Sequence, residues 1–96
     1  MKLQSYIKTV LTPMVLSLAK EPAKGGWKIM NEPEGSLLKE TNSEPCYNTT
    51  TLSGSGAGAG WAVQSFTMKE ILSFGNEQVV AVKKADPKTL ITVSSF

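Results

Sequence analysis

Trp27-Lys28-Ile29-Met30-Asn31-Glu32-Pro33-Glu34-Gly35 is the stretch on which the reading of the fold turns. A short apolar run delivers an Asn-Glu pair, and a proline follows at once. Proline has no N–H to give to a ladder, so strand pairing cannot continue through position 33. Residues 27–31 therefore read as a strand, short and largely apolar, as expected when both faces are covered. Glu32 falls where backbone order ends and a loop begins, so a carboxyl group is presented at the mouth of a buried strand. That makes Glu32 a candidate acid catalyst.

Upstream, residues 2–20 read as a helix. Leu3, Ile7, Val10, Leu11, Met14, Val15 and Leu18 recur at three- and four-residue spacing and give one apolar stripe. Thr12-Pro13 interrupts it, predicting a kink or a restart with Thr12 as cap. Glu21-Pro22 and Gly25-Gly26 end the segment. Downstream of the strand, Glu32 to about Ser65 is irregular, with Pro33, Gly35, Pro45, three successive threonines and the run Gly54–Gly60. A loop of this length in a compact domain is usually functional or disordered. Residues 67–85 read as a second helix, with Thr67 and Glu70 forming a capping box. Met68, Ile71, Leu72, Phe74, Val79 and Val82 supply its inner stripe. Gly75 weakens its middle by roughly 1 kcal/mol relative to alanine, and Lys83 and Lys84 suit the negative end of its dipole. Leu90-Ile91-Thr92-Val93-Ser94 is a second strand, rich in β-branched residues.

The order helix, strand, helix, strand makes an α/β unit whose two strands should be parallel neighbours joined by a crossover. Two parallel strands cannot cover their own faces and edges. Either the chain oligomerises or it is a slice of a larger α/β structure. A parallel (β/α)8 barrel would supply more strands, an outer ring of helices, and active-site residues at strand C-termini, where Glu32 stands.

The 96 residues allow one small domain, and 41% hydrophobic with 19% charged residues excludes a disordered chain. No apolar run approaches the ~20 residues that cross a bilayer. The net charge of +2 rests on ten scattered lysines with no arginine, so nucleic acid is not an expected partner. Histidine is absent, which removes a Ser-His-Asp triad, a Cys-His pair and most zinc sites. Neither metal nor cofactor is expected. Cys46 has no partner for an internal disulfide and reads as a free thiol, or as one whose partner lies on sequence outside these 96 residues. The opening Met1-Lys2-Leu3-Gln4-Ser5-Tyr6 lacks the compact apolar core of a signal peptide, so either the protein is cytosolic or the chain begins inside a longer one.

The stretch Trp27–Ser36 resembles the fourth-strand region of family 5 glycoside hydrolases, and among them the endo-β-1,4-mannanases of molluscs and related invertebrates. Leu11-Thr12-Pro13-Met14-Val15 is similar to the preceding helix of that family. Ser43-Glu44-Pro45-Cys46-Tyr47 and Gly54 through Trp61 are similar to the loop after the motif. Lys84-Ala85-Asp86-Pro87-Lys88 and Ile91-Thr92-Val93 are similar to the next helix end and strand. The resemblance thus runs through nearly the whole chain in order.

It implies that residues 1–96 are a fragment of one glycoside hydrolase barrel domain, a partial TIM barrel from about the third helix to the fifth strand. The implied reaction is retaining hydrolysis of β-mannan, or a related β-linked polysaccharide, by a secreted parent. The Glu of Asn-Glu-Pro is the family's general acid/base, or proton donor, which maps to Glu32. The preceding Asn holds the sugar 2-hydroxyl and helps organise the second carboxylate, which maps to Asn31. A retaining glycosidase needs two carboxyls about 5–5.5 Å apart, one protonated at rest, and a charged neighbour raises the acid's pKa so that it keeps its proton. The family's nucleophilic glutamate lies on its seventh strand, beyond Phe96. Glu34, Glu40 and Glu44 share the loop of Glu32 and read as solvated charge. The expectation is therefore a chain that is inactive without the remainder of the barrel. Lys28, Gly75, Glu77 and Phe96 depart from the family's pattern, which expects an acidic residue, two larger apolar groups and a tryptophan.

Aromatic rings stack on sugar faces, so Trp61 and Tyr47 are candidate substrate-binding walls, against the plain alternative that they pack the loop. Trp27, opening a buried strand, reads as core. Gly54–Gly60 misses the phosphate-binding fingerprints and reads as a turn. Asn48-Thr49-Thr50 matches an N-glycosylation acceptor, which matters only in a secreted protein. The competing functional reading is a small non-catalytic α/β module that binds a partner, or itself, through exposed strand edges, or a defunct gene copy.

Overall fold

The computed structural model describes residues 2–31, 33, 37–50 and 66–94. In chain order the elements are α1 (Lys2–Tyr6), a π-helical turn (Ile7–Leu11), α2 (Thr12–Leu18), β1 (Trp27–Asn31), a 3-10 turn (Pro45–Tyr47), α3 (Met68–Ala85) and β2 (Ile91–Ser94). β1 and β2 are hydrogen-bonded parallel neighbours in a two-stranded sheet. The helix-strand-helix-strand order expected from periodicity is thus present, with α3 crossing between parallel strands.

The first helical segment differs from expectation in how it carries Pro13. Thr12 does not cap a new helix. Its backbone is right-handed helical (φ −61°, ψ −47°), and its N–H donates back to the Ile7 carbonyl. A proline inside a helix removes one donor, and its ring crowds the carbonyl four residues before it. The wider turn at Ile7–Leu11 lengthens the hydrogen-bonded loop ahead of Pro13 and lets the helix pass without breaking. Helical geometry then stops at Leu18, short of the expected Lys20.

The chain divides into two compact units, Met1–Ile29 with Phe74–Thr92, and Met30–Ser73 with Val93–Phe96. In the first, Leu11, Val15 and Val82 form the buried core, and Ile7, Trp27, Ala85 and Ile91 pack against it. Ile7, Leu11 and Val15 recur every four residues and so share one helical face. Val10, Met14 and Leu18, expected in the same stripe, are exposed instead. They form a second four-residue row with Tyr6, also exposed, so the apolar surface of this helix is wider than the face its unit covers. The unit also ties down the starts of both strands. Trp27 N–H donates to the Leu90 carbonyl at 2.9 Å. Lys24 forms an ion pair with Asp86 and donates to the Ala19 carbonyl at 3.5 Å. Lys83 Nζ donates to the Thr89 carbonyl at 2.5 Å. Gly26 is needed here, because a Cβ at that position would stand 2.9 Å from the Leu90 carbonyl oxygen.

α3 begins with the capping box expected of it: Thr67 N–H donates to Glu70 Oε1 at 3.0 Å, and Glu70 N–H to Thr67 Oγ1 at 3.2 Å. Two bonds thus satisfy donors that a helix start otherwise leaves open. Its inner face is the expected one only in part: Val82 is buried and Met68, Ile71 and Val79 are half-buried. Leu72 and Phe74 are exposed, whereas Gly75, Gln78 and Val82 are buried. Those three recur at the three- and four-residue steps of one face, and Leu72 and Phe74, each one such step from a member of it, fall at its two margins. Gln78 meets its hydrogen-bonding need by donating to the Phe74 carbonyl at 3.3 Å.

In the second unit the stretch expected to be irregular carries more order than periodicity suggests. A parallel bridge joins Leu37 to Phe66, with Leu38 N–H donating to the Phe66 carbonyl at 2.8 Å. Thr49 is fully buried and closes the loop from residue 38. Its N–H donates to the Glu40 carbonyl at 3.0 Å, and its hydroxyl donates to the Leu38 carbonyl at 2.7 Å. That hydroxyl also accepts the Glu40 N–H at 2.8 Å. Gly54–Gly60 lies outside the described residues.

Candidate active site

β1 ends at Asn31, one residue short of Glu32, as the missing N–H of Pro33 requires. Asn31 is exposed at that C-terminal end, and Pro33 is half-buried just beyond it. Since β1 and β2 are parallel, their C-terminal ends share one edge of the sheet, the edge at which open α/β structures place their ligand chemistry. Glu32, the candidate proton donor, lies outside the described residues, as do Glu34, Phe96 and Trp61, one of the two candidate substrate walls.

Tyr47, the other wall, closes the 3-10 turn Pro45–Tyr47 and is half-buried. The Lys69 ammonium sits 5.0 Å from the centre of its ring. A cation at that distance is attracted by the negative face of the aromatic ring and is worth about 0.5–1 kcal/mol at an exposed site. One face of Tyr47 is thus engaged by a side chain from the first turn of α3. Sequence reasoning missed Lys69, because a cation over a distant ring leaves no periodic or local signal. Thr49 was missed for the same reason. Cys46, in the same 3-10 turn, is an exposed free thiol. Among the described residues no cluster of His, Cys, Asp or Glu is arranged to hold a metal ion.

Trp27 packs against the core, as its place at the opening of a buried strand predicts. Its indole Nε1–H is buried and has no hydrogen-bond partner among the described residues.

Solved glycoside hydrolases share this architecture. The chain matches the crystal structure of β-1,4-D-mannanase from Cryptopygus antarcticus with a TM-score of 0.87 and 44% identity, over 99% of its own length and 26% of that chain. It matches the β-mannanase of the blue mussel Mytilus edulis with a TM-score of 0.85 and 50% identity, over 98% of its own length and 26% of that chain. In sequence, it is 51% identical over 96 residues to the mannan endo-1,4-beta-mannosidase of Mytilus edulis, covering 26% of that protein. The corresponding enzyme of Cryptopygus antarcticus is 44% identical over 95 residues, covered to 24%. The chain therefore spans about a quarter of the length of the mannanases it matches. No family model matches it.

Proposed function

We propose that this chain is a segment of a secreted, retaining endo-β-1,4-mannanase of glycoside hydrolase family 5, and that it forms part of a (β/α)8 barrel domain. The observation that carries the reading is the coincidence of two independent facts. The chain is 51% identical to a mannan endo-1,4-beta-mannosidase, and β1 stops at Asn31 directly before the one glutamate that such chemistry would use.

In this reading Glu32 is the general acid/base. It gives a proton to the leaving glycosidic oxygen, then takes one from the water that hydrolyses the glycosyl-enzyme. Asn31, the last residue of β1, hydrogen-bonds the sugar 2-hydroxyl in this reading, a contact that strengthens as the ring gains positive charge. The nucleophilic carboxylate comes from sequence outside this segment, and so does most of the β-mannan cleft. Tyr47 and Trp61 are proposed as sugar-stacking walls, with Lys69 holding the Tyr47 ring in place. The competing reading, a non-catalytic interaction module, draws support from the exposed apolar row of the first helical segment.

The decisive test is mannan hydrolysis by the longer parent protein, with and without Glu32→Gln. Loss of a positioned general acid should lower kcat/KM by about 100- to 10,000-fold on mannan. It should lower kcat/KM far less on an aryl mannoside whose leaving group needs no proton, while kcat on that substrate falls because the glycosyl-enzyme has lost its general base. Equal loss of kcat/KM on both substrates would remove Glu32 from the proton-donor role. Undiminished hydrolysis of mannan would remove it from catalysis.

A further inference from the structure

We propose that Asn48 is an acceptor for an N-linked glycan. Asn48-Thr49-Thr50 has the Asn-x-Thr pattern without proline at the middle position. The structure adds four observations to that pattern. Asn48 follows the 3-10 turn with an extended backbone, φ −77° and ψ 119°. Its side-chain oxygen is engaged by the threonine of the same tripeptide, accepting the Thr50 N–H at 3.0 Å and the Thr50 hydroxyl at 2.7 Å. Among the described residues the amide nitrogen Nδ2, the atom that would carry the sugar, has no such partner. Asn48 itself is half-buried, and Pro45, Cys46 and Thr50 near it are exposed.

The middle residue decides whether a modified loop can keep its shape. Thr49 is the buried one of the three, and its bonds run to Leu38 and Glu40, not to the Asn48 side chain. Replacing one hydrogen on Nδ2 by a sugar therefore leaves the loop's closing hydrogen bonds intact. It also leaves Oδ1 free to keep both Thr50 bonds.

The donor is an oligosaccharide carried on a polyisoprenyl diphosphate. Nδ2 attacks the sugar C1 and the C1–N bond forms. The C1–O bond to the diphosphate breaks, and the diphosphate leaves with the electron pair. The Nδ2 proton passes to a base of the transferring enzyme. No oxidation or reduction is involved. In the cell the reaction rests on the secreted reading of the parent, but acceptor competence does not, and the two are tested apart by supplying a leader.

The chain is placed behind a heterologous signal sequence, with a C-terminal tag that carries one independent acceptor tripeptide, and is made in insect cells. Only molecules glycosylated on the tag, and hence known to have entered the secretory lumen, are scored. Transfer occurs as the chain emerges, so each variant can be scored whatever its fold, and the folded geometry bears on whether the modified loop can then close. The expected result is two glycans by intact mass. Asn48→Gln and Thr50→Ala should each leave one, and Thr50→Ser should keep two. Peptide N-glycosidase release in 18O water should mark Asn48. A single glycan, confined to the tag, on the otherwise unaltered chain would overturn the proposal.

Discussion

Trp27 shows how one residue can be correctly placed by sequence and still carry an unresolved cost. Its ring fills the edge of the core, but its buried Nε1–H has no acceptor among the described residues. A buried donor left unsatisfied costs about 1–3 kcal/mol. Trp27→Phe gives up part of the ring's packing and removes that donor. The two effects oppose each other, so the unfolding free energy from a urea titration should stay within about 1 kcal/mol of the unaltered chain. Trp27→Ala gives up the packing outright and should cost about 3–5 kcal/mol. A phenylalanine variant as damaged as the alanine one would show that the indole nitrogen is bonded after all. Asn31 is the opposite case: it ends β1 because Pro33, two residues on, has no N–H to give, wherever the rest of the chain goes.

Among elements, β1 is the most legible in sequence and α3 the least. β1 occupies the expected Trp27–Asn31, because proline and paired glycines are local stops that do not depend on the rest of the fold. The ends of α3 were equally readable, since a capping box is a contact within one helical turn. Its buried face was readable only in part. Leu72 and Phe74 look inward by hydrophobicity, but Gly75 and Gln78 hold the buried positions. Which face a helix turns inward is set by what it packs against, and sequence does not show the partner. The paired glycines make this testable. Gly26 stands against the Leu90 backbone, and a carbonyl oxygen cannot rotate aside as a side chain can. Gly26→Ala should lower stability by about 1–3 kcal/mol, as overpacking does. Gly25 has open space around it, so Gly25→Ala should be close to neutral in the same urea titration. Equal effects at both positions would mean that the Leu90 approach is not what requires glycine.

The whole molecule buries few large apolar side chains for its composition. Among the described residues only Leu11, Val15 and Val82 are buried hydrophobics, while eleven large ones are exposed. Tyr6, Val10, Met14 and Leu18 line up on one helix at four-residue spacing. Apolar surface exposed in contiguous rows marks an interaction face or an association hazard. The chain prepared alone should therefore bind the dye ANS before any denaturant is added. Val10→Lys with Met14→Glu should reduce the fluorescence by about half or more without lowering the helix signal in far-UV circular dichroism, because both residues lie outside the core. Unchanged dye binding in that double variant would place the exposed apolar surface elsewhere.

Sequence by itself determined the order of elements, the stop of β1 at Asn31, the cap of α3 and the resemblance to mannanases. Each of these is local chemistry: a missing N–H, a side chain reaching one turn back, a run of residue types in order. Only the tertiary structure decided which helix faces are buried, that Thr49 closes the loop after β1, and that Lys69 covers Tyr47. Those outcomes depend on packing and hydrogen bonds between residues far apart in the chain, and such contacts exist only once the chain has folded.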